Sequence, residues 1–133
     1  MVLNTPDERK EVIRAAFDGD VDIYKFFDPN VSVSTLDDVV ENISSKVEDF
    51  YTYFPMKFVK TKSGYVFFTD GILISFACRK DSRGGGFWDE IVEQLGGNFM
   101  CPLWHTNTRA IRWLQKNGMK IIKQKNNIVI LCL

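Results

Sequence analysis

Ile72-Leu73-Ile74-Ser75-Phe76-Ala77-Cys78-Arg79-Lys80-Asp81-Ser82-Arg83-Gly84-Gly85-Gly86-Phe87-Trp88 is the stretch on which the reading of this chain turns. Ile72 to Cys78 is almost continuously apolar, which predicts a central strand covered on both faces. Phe87, Trp88, Ile91, Val92 and Leu95 then recur at helical spacing, and Gly96-Gly97 stops that helix. The glycines between them join a buried strand to a helix N-terminus. Backbone N–H groups are unpaired there and the helix dipole adds positive potential. Glycine lets an anion approach the backbone closely, and Arg79, Lys80 and Arg83 add charge nearby. Such a loop suits a pyrophosphate; the plain alternative is a flexible strand–helix turn. It has neither the Lys-Ser/Thr pair of a P-loop nor a following βαβ unit with an acidic ribose ligand.

Upstream, Asp70-Gly71 is a hairpin signal that pairs Tyr65–Thr69 with Ile72–Cys78. Pro55 to Lys60 alternates and forms a further strand across the turn Lys62-Ser63-Gly64. Two helices come earlier. Thr5-Pro6-Asp7-Glu8 starts one whose face is Val12, Ile13, Ala16 and Phe17, ending near Gly19. Ser34 and Thr35 before Leu36-Asp37-Asp38 start the other, over about 36–50. Val21 to Phe27 is ambiguous, and Asp28-Pro29-Asn30 breaks it. Downstream, Phe99 to Trp104 is a strand interrupted by Pro102, so it is paired on one side only there, or splayed. Thr106 or Asn107 caps a helix carrying Ala110, Ile111 and Leu114, closed by Asn117-Gly118. Met119–Lys123 and Ile128–Leu133 form a hairpin. The class is α+β with a mixed central sheet.

Composition sets the limits. The chain has 133 residues, 45% of them hydrophobic and 14% aromatic, which predicts one domain over 1–133 with a real core. Seventeen basic residues balance seventeen acidic ones, against bulk binding of nucleic acid. The alternative is a local basic patch through Arg109, Arg112, Lys116, Lys120, Lys123 and Lys125. Cys78, Cys101 and Cys132 fit no metal spacing and read as reduced thiols of a cytoplasmic protein. No stretch approaches the roughly 20 apolar residues of a membrane span, and the N-terminus has no signal-peptide core.

The Gly-loop, followed by a strand, by Asn107-Thr108-Arg109-Ala110 and by Gly118-Met119, resembles the GNAT superfamily of acyl-CoA-dependent N-acyltransferases. Gly84 and Gly86 match that family's loop glycines, while Asp81 stands where the family has Gln or Arg. Asn107, Ala110 and Gly118 match a second element, with Met119 for Phe. The resemblance implies a mostly antiparallel sheet with helices on both faces and a splayed pair of central strands. It implies acetyl-CoA (coenzyme A) as cosubstrate, without a metal. Backbone amides from Arg83 through Gly84, Gly85 and Gly86 to Phe87 would hold the pyrophosphate, beside Arg79. The pantetheine arm would pair with Ser75, Phe76, Ala77 and Cys78, and Asn107 would contact it. Leu114 stands where the family often has a Tyr that protonates the leaving thiolate. His105, the one histidine, is the candidate base for the incoming amine, or else a loop residue capping the next helix. Asp70 and Glu90 are weaker candidates, Glu90 reading as a solvated helix face.

The family's first strand would come from Val2-Leu3 or from part of Val21–Phe27. Its acceptor site would lie in 18–34, with Tyr24, Phe26 and Phe27. There Asp18, Asp20, Asp22 and Asp28 suit a cationic amine or a lysine, or form a solvated acidic loop. The activity implied is acetyl transfer to a primary amine of a small molecule or protein, with no membrane partner and with a homodimer admitted. The other class is a catalytically inactive GNAT-like module. Trp104-His105-Thr106-Asn107-Thr108-Arg109-Ala110-Ile111-Arg112-Trp113-Leu114 is similar to small GNAT-like proteins of tailed bacteriophages, including virion components.

Overall fold

Two threonines start the helices that cover one side of the molecule. In this computed structural model, which describes residues 1–27 and 31–133, the Thr5 side chain accepts from the Glu8 N–H and Pro6 sits in the first turn of α1 (Pro6–Phe17). Thr35 and Asp38 close a full capping box around α3 (Leu36–Tyr53). Between them α2 is a single turn, Ile23–Phe26. The break expected at Asp28-Pro29-Asn30 lies outside the described residues.

Six strands follow: β1 (Lys57–Lys60), β2 (Gly64–Thr69), β3 (Ile72–Cys78), β4 (Met100–Trp104), β5 (Lys120–Lys125) and β6 (Ile128–Cys132). They lie in the order β1-β2-β3-β4-β6-β5, antiparallel except where β3 meets β4. Helices α4 (Phe87–Leu95) and α5 (Thr108–Lys116) flank β4 in sequence. This is the α+β, mostly antiparallel architecture the sequence predicts. The N-terminus adds to it: Val2 bridges Val59, and the Leu3 N–H donates to Phe58 O at 2.9 Å. Val2-Leu3 thus extends the sheet, while Ile23–Phe26 becomes α2 instead.

Alternation along β2 divides the core. Tyr65 and Phe67 pack with Ile13, Val39, Val40 and Phe58 under α1 and α3. Val66 and Phe68 pack on the other face with Leu73, Ile91, Phe99 and Leu114, under α4 and α5. Each such side chain, fully buried, contributes about 2 kcal/mol, and the Phe58 and Tyr65 rings stack at 4.8 Å.

One expectation is qualified and one changes. β3 is central in the order and packs on both faces, with Ala77 in the α1/α3 core and Leu73 in the α4/α5 core, yet Ile72, Ile74, Ser75, Phe76 and Cys78 are only half-buried, because β4 pulls away from it. Glu90 is no solvated face: its carboxylate accepts from the Ser63 N–H at 2.9 Å and from the Ser63 hydroxyl, tying α4 to the β1–β2 turn. Burial works against the charge of Glu90, but these hydrogen bonds outweigh it and hold its pKa below the usual value. No helix among the described residues is long and apolar enough to cross a membrane.

Candidate functional site

On one side β3 pairs with β2 along its length, from Gly64↔Cys78 to Thr69↔Ile72. On the other it meets β4 only at Ile72↔Met100, with the Met100 N–H donating to Gly71 O at 2.9 Å. All five residues of β4 are instead committed to β6, Pro102 opposite Ile130. From Ile72 onward the two strands diverge, and a cleft of about 1060 Å³ lies there. Its lining includes Ser75, Phe76, Ala77, Cys78, Gly84 and Phe87 from β3, the glycine loop and α4, and Pro102, Leu103, Trp104, Asn107 and Trp113 from β4, the turn after it and α5.

The divergent edge is also irregular. Phe67 pairs with Ser75 and Phe68 with Leu73, so Ile74 is an extra residue with no β2 partner. A bulge of this kind places consecutive side chains on one face. Ile74 packs with the α1/α3 core, and the Ser75 hydroxyl meets the Tyr65 hydroxyl at 2.9 Å on the same side. Burial pushes the Tyr65 phenol up. Nothing in the apolar run 72–78 signals the bulge.

After β3 the chain makes a 3₁₀ turn (Lys80–Ser82) and enters the glycines. Gly84 has φ +98° and Gly86 φ +81°, a left-handed conformation that other residues adopt only with strain. Gly86 N-caps α4 without a side-chain bond, so the N–H groups of the first turn keep their donor capacity. A Cβ added at Gly84, Gly85 or Gly86 would meet nothing within 4 Å. The loop is therefore open beside the cleft rather than packed under other chain.

Charge at the mouth comes from three residues distant in sequence. Arg109, on the first turn of α5, donates to both oxygens of Asp20 at 2.9 and 2.8 Å, and Arg83 donates to Asp20 at 2.9 Å. The Asp20 side chain is 3% exposed. Burial opposes its charge, but Arg109 first and Arg83 next outweigh that and hold its pKa below the usual carboxylate range. The acidic-loop expectation is thereby corrected. Asp20 is neither a solvated residue nor an open receptor for a cation, since two guanidiniums already occupy it. Asp18 and Asp22 are exposed, Asp22 pairing with Lys25, and Asp28 is outside the described residues.

The other expected residues fall as follows. Arg79 turns from the cleft to donate to Lys62 O at 2.7 Å and lies near Asp81. Asp81 is 81% exposed and faces Arg79 rather than the loop amides. Asn107 lines the cleft while its Oδ1 accepts from the Ala110 N–H at 3.3 Å, capping α5. His105 is exposed in the turn after β4; its N–H and its ring both face Asn127 O, on the hairpin side, and it is not among the lining residues. Asp70 sits in the β2–β3 turn, at the end where β3 and β4 still touch. Leu114 is buried in the α4/α5 core. Burial pushes the Cys78 thiol up. Arg109, expected only as part of a basic patch, is a cleft residue. Trp113 carries no site signal in the sequence; it lies near Phe76 and Phe87, ring centroids 6.0 and 5.8 Å away. No group of three or more metal-ligating side chains exists among the described residues.

No protein-family model matches the chain, and no curated protein matches it. Solved structures do. An acetyltransferase from Thermus thermophilus is similar over 100% of this chain and 95% of its own, at 17% identity and TM-score 0.59. YncA from Salmonella typhimurium, solved with its cofactor acetyl-CoA, is similar over 100% and 92%, at 12% and 0.57. The microcin C7 self-immunity acetyltransferase MccE, in complex with acetyl-CoA and AMP, is similar over 99% and 90%, at 13% and 0.56. The fold is that of the GNAT acetyltransferases.

Proposed function

We propose that this chain, built on the GNAT fold, is an N-acyltransferase that passes an acetyl group from acetyl-CoA to a primary amine. The observation that carries the reading is the divergence of β3 and β4 directly beside an open glycine loop. The loop and α4 first-turn amides would take the pyrophosphate, with Arg83 and Arg109 adding positive charge. The bare edge of β3 at Ser75–Cys78 would pair with the amides of the pantetheine arm, as an added strand would. Backbone N–H groups at the Ile74 bulge would polarise the thioester carbonyl. The amine then attacks that carbon, the C–N bond forms, and the C–S bond breaks to release the thiolate. A cytoplasmic location goes with this reading.

The test is heat stability with and without acetyl-CoA. A ligand at one hundred times its Kd adds about 2.7 kcal/mol, which is several degrees in Tm for a domain of this size. Gly84→Glu and Gly86→Glu should abolish that shift. Their own cost is the strain of a left-handed side chain, about 1–2 kcal/mol. Variants that bind as well as wild type would remove the loop from the site. No shift for the wild type at millimolar ligand would make the chain a GNAT-like module without catalysis.

A further inference from the structure

We infer that Asp20 is a built-in competitor for the anion site: its carboxylate occupies the two guanidiniums that a bound pyrophosphate would use, and a ligand that takes them loosens the α1–α2 segment. This rests on the acetyl-CoA reading above. Arg109 turns both terminal nitrogens to the two Asp20 oxygens, at 2.9 and 2.8 Å, and Arg83 adds a third bond at 2.9 Å. The same forked geometry is the one in which a guanidinium takes a phosphate. Both arginines line the cleft together with Gly84, Gly85 and Gly86. Burial opposes the charge of Asp20, yet Arg109 and Arg83 hold its pKa below the usual range, so it is an anion at neutral pH. One carboxylate and one pyrophosphate thus face the same donors.

The segment that Asp20 ties down has little stability of its own. Gly19 leads into it with φ +74°. Beyond Asp20 the chain makes only the four residues of α2, with no side-chain bond at the N-cap Asp22. A single helical turn does not hold by its own hydrogen bonds, so α2 depends on contacts with the rest of the fold. Ile23 packs in the α1/α3 core. The Arg109 guanidinium lies 5.0 Å from the centroid of the Phe26 ring. Thr106 donates to Phe27 O at 3.4 Å. Ile23 and Phe26 also line the cleft. Arg109 therefore holds this segment twice, through Asp20 and through Phe26.

Two parts of the cleft are linked in this way. Arg109 drawn toward phosphate loses Asp20 and Phe26 together. The Asp20 side chain is 3% exposed, and a buried carboxylate short of partners is unstable until water reaches it. The backbone that carries it must then shift. Arg83 and Arg109 are partly exposed and can turn without such a penalty. Linkage is reciprocal: pyrophosphate loosens the segment, and a segment already loose leaves the arginines to pyrophosphate.

The experiment follows amide hydrogen exchange over residues 20–26 of the intact chain, with and without saturating coenzyme A. In the wild type, coenzyme A should speed that exchange about fivefold or more. In Asp20→Asn the same amides should exchange fast without ligand, and coenzyme A should change them by less than about twofold. At low salt this variant should bind coenzyme A several-fold tighter than the wild type. Asp22→Asn removes an equal charge from the same segment, at an exposed carboxylate paired with Lys25; it should keep the wild-type response. Wild-type exchange that slows or stays fixed while coenzyme A raises Tm overturns the inference and leaves the acetyl-CoA reading standing. Weaker coenzyme A binding by Asp20→Asn also overturns it, because Asp20 would then be holding the arginines in place for the ligand. So does Asp22→Asn that matches Asp20→Asn in both readouts, which would reduce the effect to net charge. The wild-type comparison decides the matter even where Asp20→Asn does not fold. No Tm rise with coenzyme A removes both readings.

Discussion

One strand of this protein has two unlike edges. Toward β2, β3 is laddered at both ends with a break at the Ile74 bulge, and Gly64 lies so close that a Cβ there would sit 1.8 Å from Ala77 O. Toward β4 it keeps one pairing, and the glycines beyond it, Gly84 to Gly86, face open space. Glycine serves opposite ends at the two places. On the closed edge it removes a side chain so that protein backbone can approach. On the open edge it permits a left-handed turn and leaves room for something that is not protein. Stability is concentrated on the first seam, and the chemistry proposed above on the second.

The contrast breaks most sharply at Gly64. Gly64→Ala should cost more than about 4 kcal/mol, since backbone rather than a flexible side-chain end must move; denaturant unfolding would read this as loss of most of the folded state. Asp20→Asn, at the mouth of the open edge, should cost about 2 kcal/mol, the scale of charge-assisted hydrogen bonds. The value stays moderate because Arg83 and Arg109 are 42% and 36% exposed and can turn to water. The same variant raises the positive charge at the mouth, so acetyl-CoA should bind several-fold tighter at low salt and lose that gain at high salt.

Acid sharpens the same point. The folded pKa of Asp20 lies below its unfolded value near 3.9. The unfolded chain therefore binds that proton more readily. The Asp20 contribution is whole above about pH 5, and is lost as pH falls through the folded pKa. The wild-type advantage over Asp20→Asn in Tm should shrink below about pH 4. Tyr65→Phe, which removes the hydroxyl pair with Ser75 beneath the closed seam, should cost about 1 kcal/mol. Gly85→Ala should be the mildest. Gly85 has no positive φ and its Cβ would meet nothing, so stability should hold within about 0.5 kcal/mol. Weaker acetyl-CoA binding in that variant would then report lost ligand space alone.

Much of this was legible along the chain because it depends on neighbours. Thr5, Thr35 and Asn107 cap the helices they precede, and capping joins residues three apart. Asp70-Gly71 turns the hairpin as a two-residue loop must. The Gly-loop lies between β3 and α4 because its glycines interrupt two runs of different period. Other features had no local signal. Asp20 reads as one acid in a polar loop, yet its partners are 63 and 89 residues away. Arg79 and Arg83 look equivalent in sequence, but one turns to Lys62 and the other to the cleft. His105 follows a cleft strand by a single residue and still faces the hairpin.

Sequence alone determined the main elements apart from α2 and the Val2-Leu3 extension, their caps, their order and the place of the glycine loop, since hydrophobic period, turn chemistry and helix-end hydrogen bonding act over a few residues. Tertiary structure decided which edge of β3 stays bare, that Ile74 bulges, and that a buried aspartate meets two arginines at the cleft mouth. Those outcomes come from competition between distant partners. β4 can give its hydrogen bonds to β6 or to β3, and Asp20 can face water or guanidinium. Only the assembled chain brings the competitors within reach of one another.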